Sequence, residues 1–221
     1  MHVAASPVPD PEDPAAGSPE AAAPETKRRT RPKPGERRVQ ILQTLASMLE
    51  QPGAERVTTA ALAGRLEVSE AALYRHFASK AQMFEGLIEF IESSIYTLLN
   101  QITEREAAGL VQAQRIVSVL LQFGERNPGM SRVMVGDALV YENERLIQRM
   151  NLFFDRVEAT LRQVLRQAAE AEGSDTPTVQ ANAQASVLVS FIIGRLQRYA
   201  RSGFKRMPTE QLDVALALLT R

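Results

Sequence analysis

The side chains with the clearest chemical potential lie close together between residues 59 and 80. They include hydroxyl, imidazole and ammonium groups, which can bind phosphate oxygens. They also include a guanidinium group, which can bind phosphate or form two hydrogen bonds with one guanine base. We expect phosphate contacts from Thr59, Tyr74, His76 and Lys80, and contacts with base edges from Ser69, Glu70, Ala71 and Arg75. This combination favours the binding of double-stranded DNA.

Two short helices must position these groups. The pattern predicts one helix capped by Thr58 or Thr59 and a second that starts at Ser69 and ends near Phe77. Such a pair, separated by three or four residues, is a helix-turn-helix, which places the start of its second helix in the major groove. Its inner face should consist of Leu62, Leu66, Val68, Leu73 and Phe77. In the alternative interpretation, Tyr74 and His76 are ordinary half-buried helix residues.

The segment TTAALAGRLEVSEAALYRHFASK, residues 58–80, resembles the DNA-binding domain of the TetR family. The resemblance implies an all-α, TetR-like fold, with an N-terminal three-helix domain and a C-terminal helical domain that forms a homodimer. Glu67 departs from the family, which usually has Gly in this turn. A left-handed backbone at Glu67 would cost about 1 kcal/mol.

Further segments resemble one branch of this family, the nucleoid occlusion factors, from about Arg37 to the C-terminus. They are SEAALYRHF at 69–77, LIEFIE at 87–92, FGERNPG at 123–129 and LRQVLR at 161–166. The resemblance implies a dimer that binds palindromic chromosomal sites, antagonises polymers of the division protein FtsZ and blocks septum formation over the nucleoid. It leaves higher-order assembly on DNA open. A ligand-responsive transcriptional repressor, with a pocket in its C-terminal domain, is the alternative.

Composition divides the chain into a tail at 1–34, a DNA-binding domain at 35–80 and a dimerisation and partner-binding domain at 81–221. The tail holds eight of the twelve prolines and is expected to be disordered. Residues 27–80 contain eleven Lys and Arg against five Asp and Glu, although the whole chain is neutral. The basic run at 27–38 favours an arm along DNA, and a solubility patch is the alternative.

Other classes of function have little support in the composition. The chain has no Cys, and its histidines, His2 and His76, lie far apart, so we expect no metal site. We find neither a Gly-rich phosphate loop nor a nucleophile elbow, and therefore expect no catalytic residues and no cofactor. No apolar run approaches the roughly 18 residues of a membrane span, and no signal peptide is evident, so we expect a cytoplasmic, nucleoid-associated protein.

Three residues outside the helix-turn-helix are candidates for the FtsZ contact. Phe90 lies about 120° from the apolar stripe of its helix, which we assign to Phe84, Leu87, Ile88, Ile91, Ile95, Leu98 and Ile102. An aromatic off the core face can bind a partner, or it can pack against a neighbouring helix. Arg126 should be a surface contact. Asn127 can contact the partner, but its position before Pro128 favours a helix cap.

Long helices should build the rest of the chain. We expect Lys80 to open a helix reaching about residue 102, and further helices over about 36–50, 112–127, 128–141, 143–172, 177–202 and 209–220. In the helix at 143–172, five apolar residues and one threonine recur at spacings of 4 and 3: Leu146, Met150, Phe153, Val157, Thr160 and Val164. This seam, with the helix at 177–202, predicts a four-helix dimer interface. Core packing within one chain is the alternative, and we expect both to hold in part.

Overall fold

Helices account for the regular secondary structure in the part of the chain that the computed structural model describes, residues 35–51, 56–106 and 109–220. These residues belong to a single compact unit. Their elements are α1 (Glu36–Leu49), α2 (Thr59–Arg65), α3 (Glu70–Tyr74), α4 (Lys80–Arg105), α5 (Gly109–Arg126), α6 (Pro128–Met134), a 3₁₀ helix (Asp137–Leu139), α7 (Glu144–Ala171), α8 (Pro177–Arg201) and α9 (Leu212–Leu219). The predicted all-α fold is confirmed, and the predictions for residues 1–34 lie outside the described residues.

The turn between α2 and α3 explains why these two helices form where the sequence predicts. Thr58 is the N-cap of α2, since its hydroxyl accepts the Ala61 N–H at 3.1 Å. At the other end of α2, the Val68 N–H bonds to the Ala63 carbonyl at 3.0 Å, and Glu67 has the left-handed φ of 53° that this type of helix end requires. Glu67 therefore has the left-handed backbone whose cost was considered above.

The helix-turn-helix packs as predicted on its inner side. Leu62, Leu66, Leu73 and Phe77 are buried, and Val68 packs against the same core. α3 ends at Tyr74, earlier than expected, because the N–H groups of His76 and Phe77 both bond to the Leu73 carbonyl and tighten the chain into a turn. The second helix of the motif is therefore short, and it exposes little more than one helical turn.

α4 packs against α1 of the DNA-binding part, and its apolar face is almost wholly buried. Ser79 caps it by accepting the Gln82 N–H at 3.2 Å. The predicted stripe is correct except at Leu98, which is 36% exposed, whereas Leu99 is only 3% exposed. A helical turn of about 3.6 residues brings Leu99, four residues after Ile95, back to the core face. α4 packs against α1, α5, α6 and α7.

Several helix boundaries differ from expectation in the C-terminal part, among them the end of α4, which lies at Arg105 and not near residue 102. The predicted helix at 128–141 is instead α6 and a separate 3₁₀ helix, because Gly136 between them has a left-handed φ of 82°. α5 starts at Gly109, three residues early, and α9 starts at Leu212, three residues late. Gly129 does not interrupt α6. A Cβ atom there would lie 2.2 Å from the Ala46 carbonyl oxygen, so this glycine allows α6 to touch α1.

The apolar seam of α7 lies inside the protomer. Leu146, Met150, Phe153, Val157 and Val164 are each at most 2% exposed in the single chain, and Thr160 is half-buried. α7 packs along α8 and against α4 and α5, which together cover these side chains. The alternative of core packing within one chain is therefore correct for these residues, and the prediction that they form the dimer interface is wrong. A four-helix dimer built from the two long helices stays a prediction.

Ion pairs join α4 to α7 and to the loop before it. Lys80 at the start of α4 contacts Glu142, and Arg145 lies 2.7 Å from Glu85. Arg149 donates two hydrogen bonds to Glu92, of which the one from Nε measures 3.0 Å. This pairing raises the pKa of the Arg149 guanidinium above its ordinary value, against a smaller opposing effect of burial. Polar contacts thus reinforce the apolar packing along α4.

The backbone at Glu67 generates a stability prediction. Glu67→Gly relieves the left-handed strain and should raise the free energy of unfolding by about 0.5–1 kcal/mol, because the flexibility of Gly in the unfolded chain offsets part of the gain. In a thermal melt, this corresponds to an increase of roughly 1–4 °C for a domain of this size. Glu67→Ala is the matched control, since it removes the same side chain but keeps the strain. Equal melting temperatures of the two variants would contradict the interpretation.

Candidate DNA interface and partner surface

The side chains predicted to read bases share the outer face of the helix-turn-helix. Ser69, Glu70, Ala71 and Arg75 are exposed, as is Tyr74, which is 45% accessible. Ser69 occupies the N-cap position of α3, but its hydroxyl makes no capping hydrogen bond. The buried Leu73 and Phe77 on the opposite side fix the orientation of this face. α3 can therefore present its N-terminal turn outward without losing core contacts.

Thr59 and Glu70 contact each other across the motif. The Thr59 hydroxyl donates a hydrogen bond of 2.6 Å to the Glu70 carboxylate. The capping role belongs to the neighbouring Thr58, so the Thr59 side chain is available for another function. A hydroxyl that has already donated its proton can bind a phosphate only if it leaves Glu70. This hydrogen bond links the first residue of α2 to the first residue of α3.

Lys80, the first residue of α4, has its own carboxylate partner. Its ammonium group contacts Glu142, whose side chain is only 9% exposed, and lies 5.7 Å from the centre of the Phe84 ring. Because a phosphate must compete with this carboxylate, Glu142 limits the charge that Lys80 can offer to DNA. The sequence does not indicate this pairing, since 62 residues separate the two side chains.

Arg38 has a structural role that the sequence analysis missed. Its guanidinium lies 4.1 Å from the centre of the Phe77 ring and donates a hydrogen bond to the His76 carbonyl. It thereby holds the turn that follows α3. The neighbouring Arg37 donates a hydrogen bond of 2.6 Å to Gln40 within α1. The remainder of the predicted arm, residues 27–34, lies outside the described residues.

The three candidate partner-binding residues lie on α4 and at the corner between α5 and α6. Phe90 is 48% exposed, and the centre of its ring is 6.2 Å from that of Phe123 on α5. Both interpretations of Phe90 therefore apply, because it packs against a neighbouring helix and still presents half of its surface. Arg126, the last residue of α5, is exposed. We call Phe90, Phe123, Arg126 and Asn127 the aromatic corner.

Asn127 precedes α6 but does not cap it. Its side chain makes no capping hydrogen bond, and its amide instead donates backward to the Phe123 carbonyl at 2.8 Å. The predicted capping role is therefore wrong. This hydrogen bond ties the corner between α5 and α6 to the residue that packs against Phe90, so Asn127 stabilises the aromatic corner.

Within residues 35–51, 56–106 and 109–220, no three His, Asp or Glu side chains form a group suited to a metal ion. None of the helices described here combines the length and apolar character that a membrane span needs.

Comparison with known proteins identifies the family. Residues 41–87 match the family model described as bacterial regulatory proteins, tetR family, and residues 107–221 match the model of the SlmA-like tetracyclin repressor-like C-terminal domain. The nucleoid occlusion factor SlmA of Vibrio cholerae is 50% identical over 185 residues, which cover 83% of this chain and 94% of that protein. The protein of that name from Aliivibrio fischeri strain MJ11 is 49% identical over 190 residues, covering 86% and 96%.

Solved structures support the fold. The regulator FadR of Bacillus subtilis, in complex with stearoyl-CoA, has a TM-score of 0.65 at 14% identity, over 82% of this chain and 97% of its own. FadR of Bacillus halodurans has a TM-score of 0.68 at 13% identity, over 84% and 95%.

The fold and the helix-turn-helix thus define a TetR-family DNA-binding protein, and membership of this family implies dimerisation. Within that class, the chain belongs to the SlmA family of nucleoid occlusion factors.

The position of Lys80 generates a DNA-binding prediction. Lys80→Ala should weaken binding to every DNA sequence by a similar factor and should reduce the salt slope by about 1, because one phosphate contact is lost. Glu142→Gln should strengthen binding, since it removes the carboxylate that competes for Lys80. Tyr74→Phe, which removes one hydroxyl, should weaken binding less than Lys80→Ala.

Fluorescence anisotropy with labelled duplexes at several salt concentrations measures these effects. The melting temperature of each variant provides the control for folding. An unchanged affinity and salt slope in Lys80→Ala would show that the DNA surface lies elsewhere.

Proposed function

We propose that this protein, bound as a homodimer to palindromic chromosomal sites, antagonises FtsZ polymers and so blocks septum formation over the nucleoid. The observation that carries the proposal is the exposed aromatic ring of Phe90 and the exposed guanidinium of Arg126 on the aromatic corner. Phe90 lies ten residues along α4 from Lys80, and Arg126 lies at the end of α5, outside the helix-turn-helix. The relatives named as nucleoid occlusion factors support the biological setting. We assign the protein a binding role without catalysis.

The proposed DNA contacts follow from the exposed face of the helix-turn-helix. Ser69, Glu70, Ala71 and Arg75 would read base edges in the major groove. Thr59, Tyr74, His76 and Lys80 would bind phosphates and hold the register. A two-fold symmetric dimer presents two copies of this face, which is why we expect a palindromic site.

The dimer contact requires a new location, because the seam of α7 is buried inside the protomer. We place it on the outer faces of α7 and α8. Exposed apolar residues occur there, with Leu152 on α7 and Val179 and Val187 on α8. Their accessible fractions are 67%, 66% and 49%. Apolar side chains on facing helices gain stability when a second copy covers them.

The aromatic corner is the proposed FtsZ contact. Interface centres are enriched in aromatic and Arg side chains, and Phe90 and Arg126 provide one of each. The Phe123 ring packs against the Phe90 ring, and the Asn127 amide donates a hydrogen bond to the Phe123 carbonyl. A rigid aromatic next to a cation suits a partner segment with apolar and acidic side chains.

The proposed functions belong to different parts of the chain. Residues 35–80 would bind DNA, and residues 81–221 would dimerise and contact FtsZ, with α4 beginning at the boundary. We propose localisation on the nucleoid because the DNA-binding role requires it.

Helices α5, α6 and α8 pack closely around Gly124, so the effector pocket that the repressor alternative requires cannot lie at this junction. A Cβ atom at Gly124 would lie 2.4 Å from the Leu196 side chain and 2.7 Å from the Ser131 hydroxyl. The hydroxyl of Ser131, which is fully buried, donates a 2.8 Å hydrogen bond to the Gly124 carbonyl. At this point α5 touches α6 and α8 directly, which leaves no space there for an effector ligand.

The test is the polymerisation of FtsZ with GTP, followed by light scattering, in the presence of the protein and a palindromic duplex selected from random sequences. Wild-type protein should reduce the polymer. Phe90→Ala and Arg126→Asp should each need about 30-fold more protein, equivalent to roughly 2 kcal/mol at the centre of an interface. Tyr141→Ala, another exposed aromatic, and Arg105→Asp, another exposed arginine, are the matched controls and should act like wild type.

Stability and DNA affinity distinguish the possible outcomes. Because Phe90 is half exposed, Phe90→Ala should cost far less than the roughly 3–5 kcal/mol typical of a buried Phe. Dimer mass and DNA affinity should also remain unchanged. If both variants fold and still inhibit FtsZ fully, the aromatic corner is not the contact. If the wild-type complex leaves the polymer unchanged, the proposed function is wrong.

A further inference from the structure

The end of α8 and the following loop carry an unusual concentration of positive charge. Residues 195–206 contain five Lys and Arg and no Asp or Glu: Arg195, Arg198, Arg201, Lys205 and Arg206. Cations near a helix C-terminus are favoured by the helix dipole, and this explains one or two of them. It does not explain why cations from both the helix and the loop converge on the same cavity.

Three of these residues line one cavity of about 400 Å³. They are Arg195, Arg198 and Arg206, and the other lining residues are Met207 and Glu210. An adjoining cavity of about 490 Å³ shares Arg195, Arg198 and Glu210 and adds Phe191, Gly194 and Gln211. We call the first of these the arginine cavity.

The Arg195 side chain and the loop backbone of the arginine cavity are held in place before any ligand binds. Arg195 donates a hydrogen bond of 2.9 Å to the Glu210 carbonyl, and its guanidinium lies 4.9 Å from the centre of the Phe191 ring. The Ser202 hydroxyl accepts the backbone N–H groups of Lys205 and Arg206, at 3.0 and 2.9 Å. These contacts position both the helical and the loop side of the cavity.

The loop is also braced against the body of the protomer. The rings of Phe204 and Tyr199 pack edge to face, with their centres 5.1 Å apart. The Arg132 guanidinium lies 5.3 Å from the centre of the Phe204 ring. The Tyr199 hydroxyl donates a hydrogen bond of 3.1 Å to the Glu125 carbonyl. Burial, followed by the charges of Glu125 and Glu50, raises the pKa of Tyr199, so the phenol keeps this proton. A braced loop loses little entropy when a ligand binds.

The charge in the arginine cavity is unbalanced. Three arginines and one glutamate line it, and within the described part of the chain neither Arg198 nor Arg206 forms an ion pair. Like charges that converge on a concave surface repel each other until an anion joins them. Guanidinium forks match phosphate oxygens in geometry as well as in charge.

We propose that the arginine cavity binds a small ligand that carries two or more phosphate charges. Arg198 and Arg206 would bind phosphate oxygens from opposite sides, and Arg195 would add a third donor. The phosphate groups could belong to a nucleotide or to an inorganic phosphate chain. Only a nucleotide would also use the ring of Phe191 and the adjoining cavity.

Isothermal titration calorimetry on the full-length dimer tests the proposal with inorganic pyrophosphate, a nucleoside triphosphate and citrate. Wild-type protein should bind both phosphate compounds at one site per protomer, and citrate at least tenfold more weakly. The double variant Arg198→Gln/Arg206→Gln should lose about tenfold or more in affinity for the phosphate compounds. Arg201→Gln/Lys205→Gln is the matched control: it removes two charges from the same segment outside the cavity lining and should stay within about twofold of wild type.

Each result decides the proposal. Tighter binding of the triphosphate than of pyrophosphate supports a nucleotide, and equal binding supports an inorganic phosphate ligand. Absence of binding, equal binding of citrate or equal losses in the two double variants would overturn the proposal. A change in dimer mass in Arg198→Gln/Arg206→Gln would also overturn it, because these arginines would then contact the second protomer.

Discussion

Burial of one face of α4 is the constraint on which the rest of the structure depends. This face packs against α1 near the DNA-binding part and against α5, α6 and α7 further along. Eight of its side chains, from Met83 to Ile102, are buried, and each contributes roughly 1.5–3 kcal/mol by leaving water. The start of α4 carries Lys80, and its middle carries Phe90 on the opposite, exposed side. The proposed DNA and partner surfaces are therefore fixed to one helix, and neither can shift without exposing that apolar face.

Much of this arrangement could be predicted from local pattern. The cap at Thr58, the left-handed Glu67 and the buried Leu73 and Phe77 follow from rules that act over a few residues, and the structure has them all. The seam of α7 shows where such rules stop. Spacings of 3 and 4 indicate which face of a helix is apolar, but the same pattern arises whether a second protomer or the same chain covers that face.

Contacts between distant residues account for what the sequence could not predict. Arg38 reaches Phe77 and His76 across 38 residues, and Lys80 reaches Glu142 across 62. Each of these side chains looked like a free cation available to phosphate. The arginine cavity is a related case: the basic run at 195–206 is visible in the sequence, but its convergence depends on the bend after α8, where Gly203 and Phe204 both have a φ of 63°.

Hydrogen–deuterium exchange tests the central claim, that DNA and FtsZ occupy separate surfaces fixed to α4, most directly. Exchange would be compared for the dimer alone, with palindromic DNA, and with DNA and FtsZ together. We predict that DNA slows exchange across residues 59–80, and that FtsZ adds protection around Phe90 and residues 119–127 while the DNA protection persists. Protection by FtsZ that is confined to residues 59–80, or that appears only as DNA protection is lost, would contradict the account.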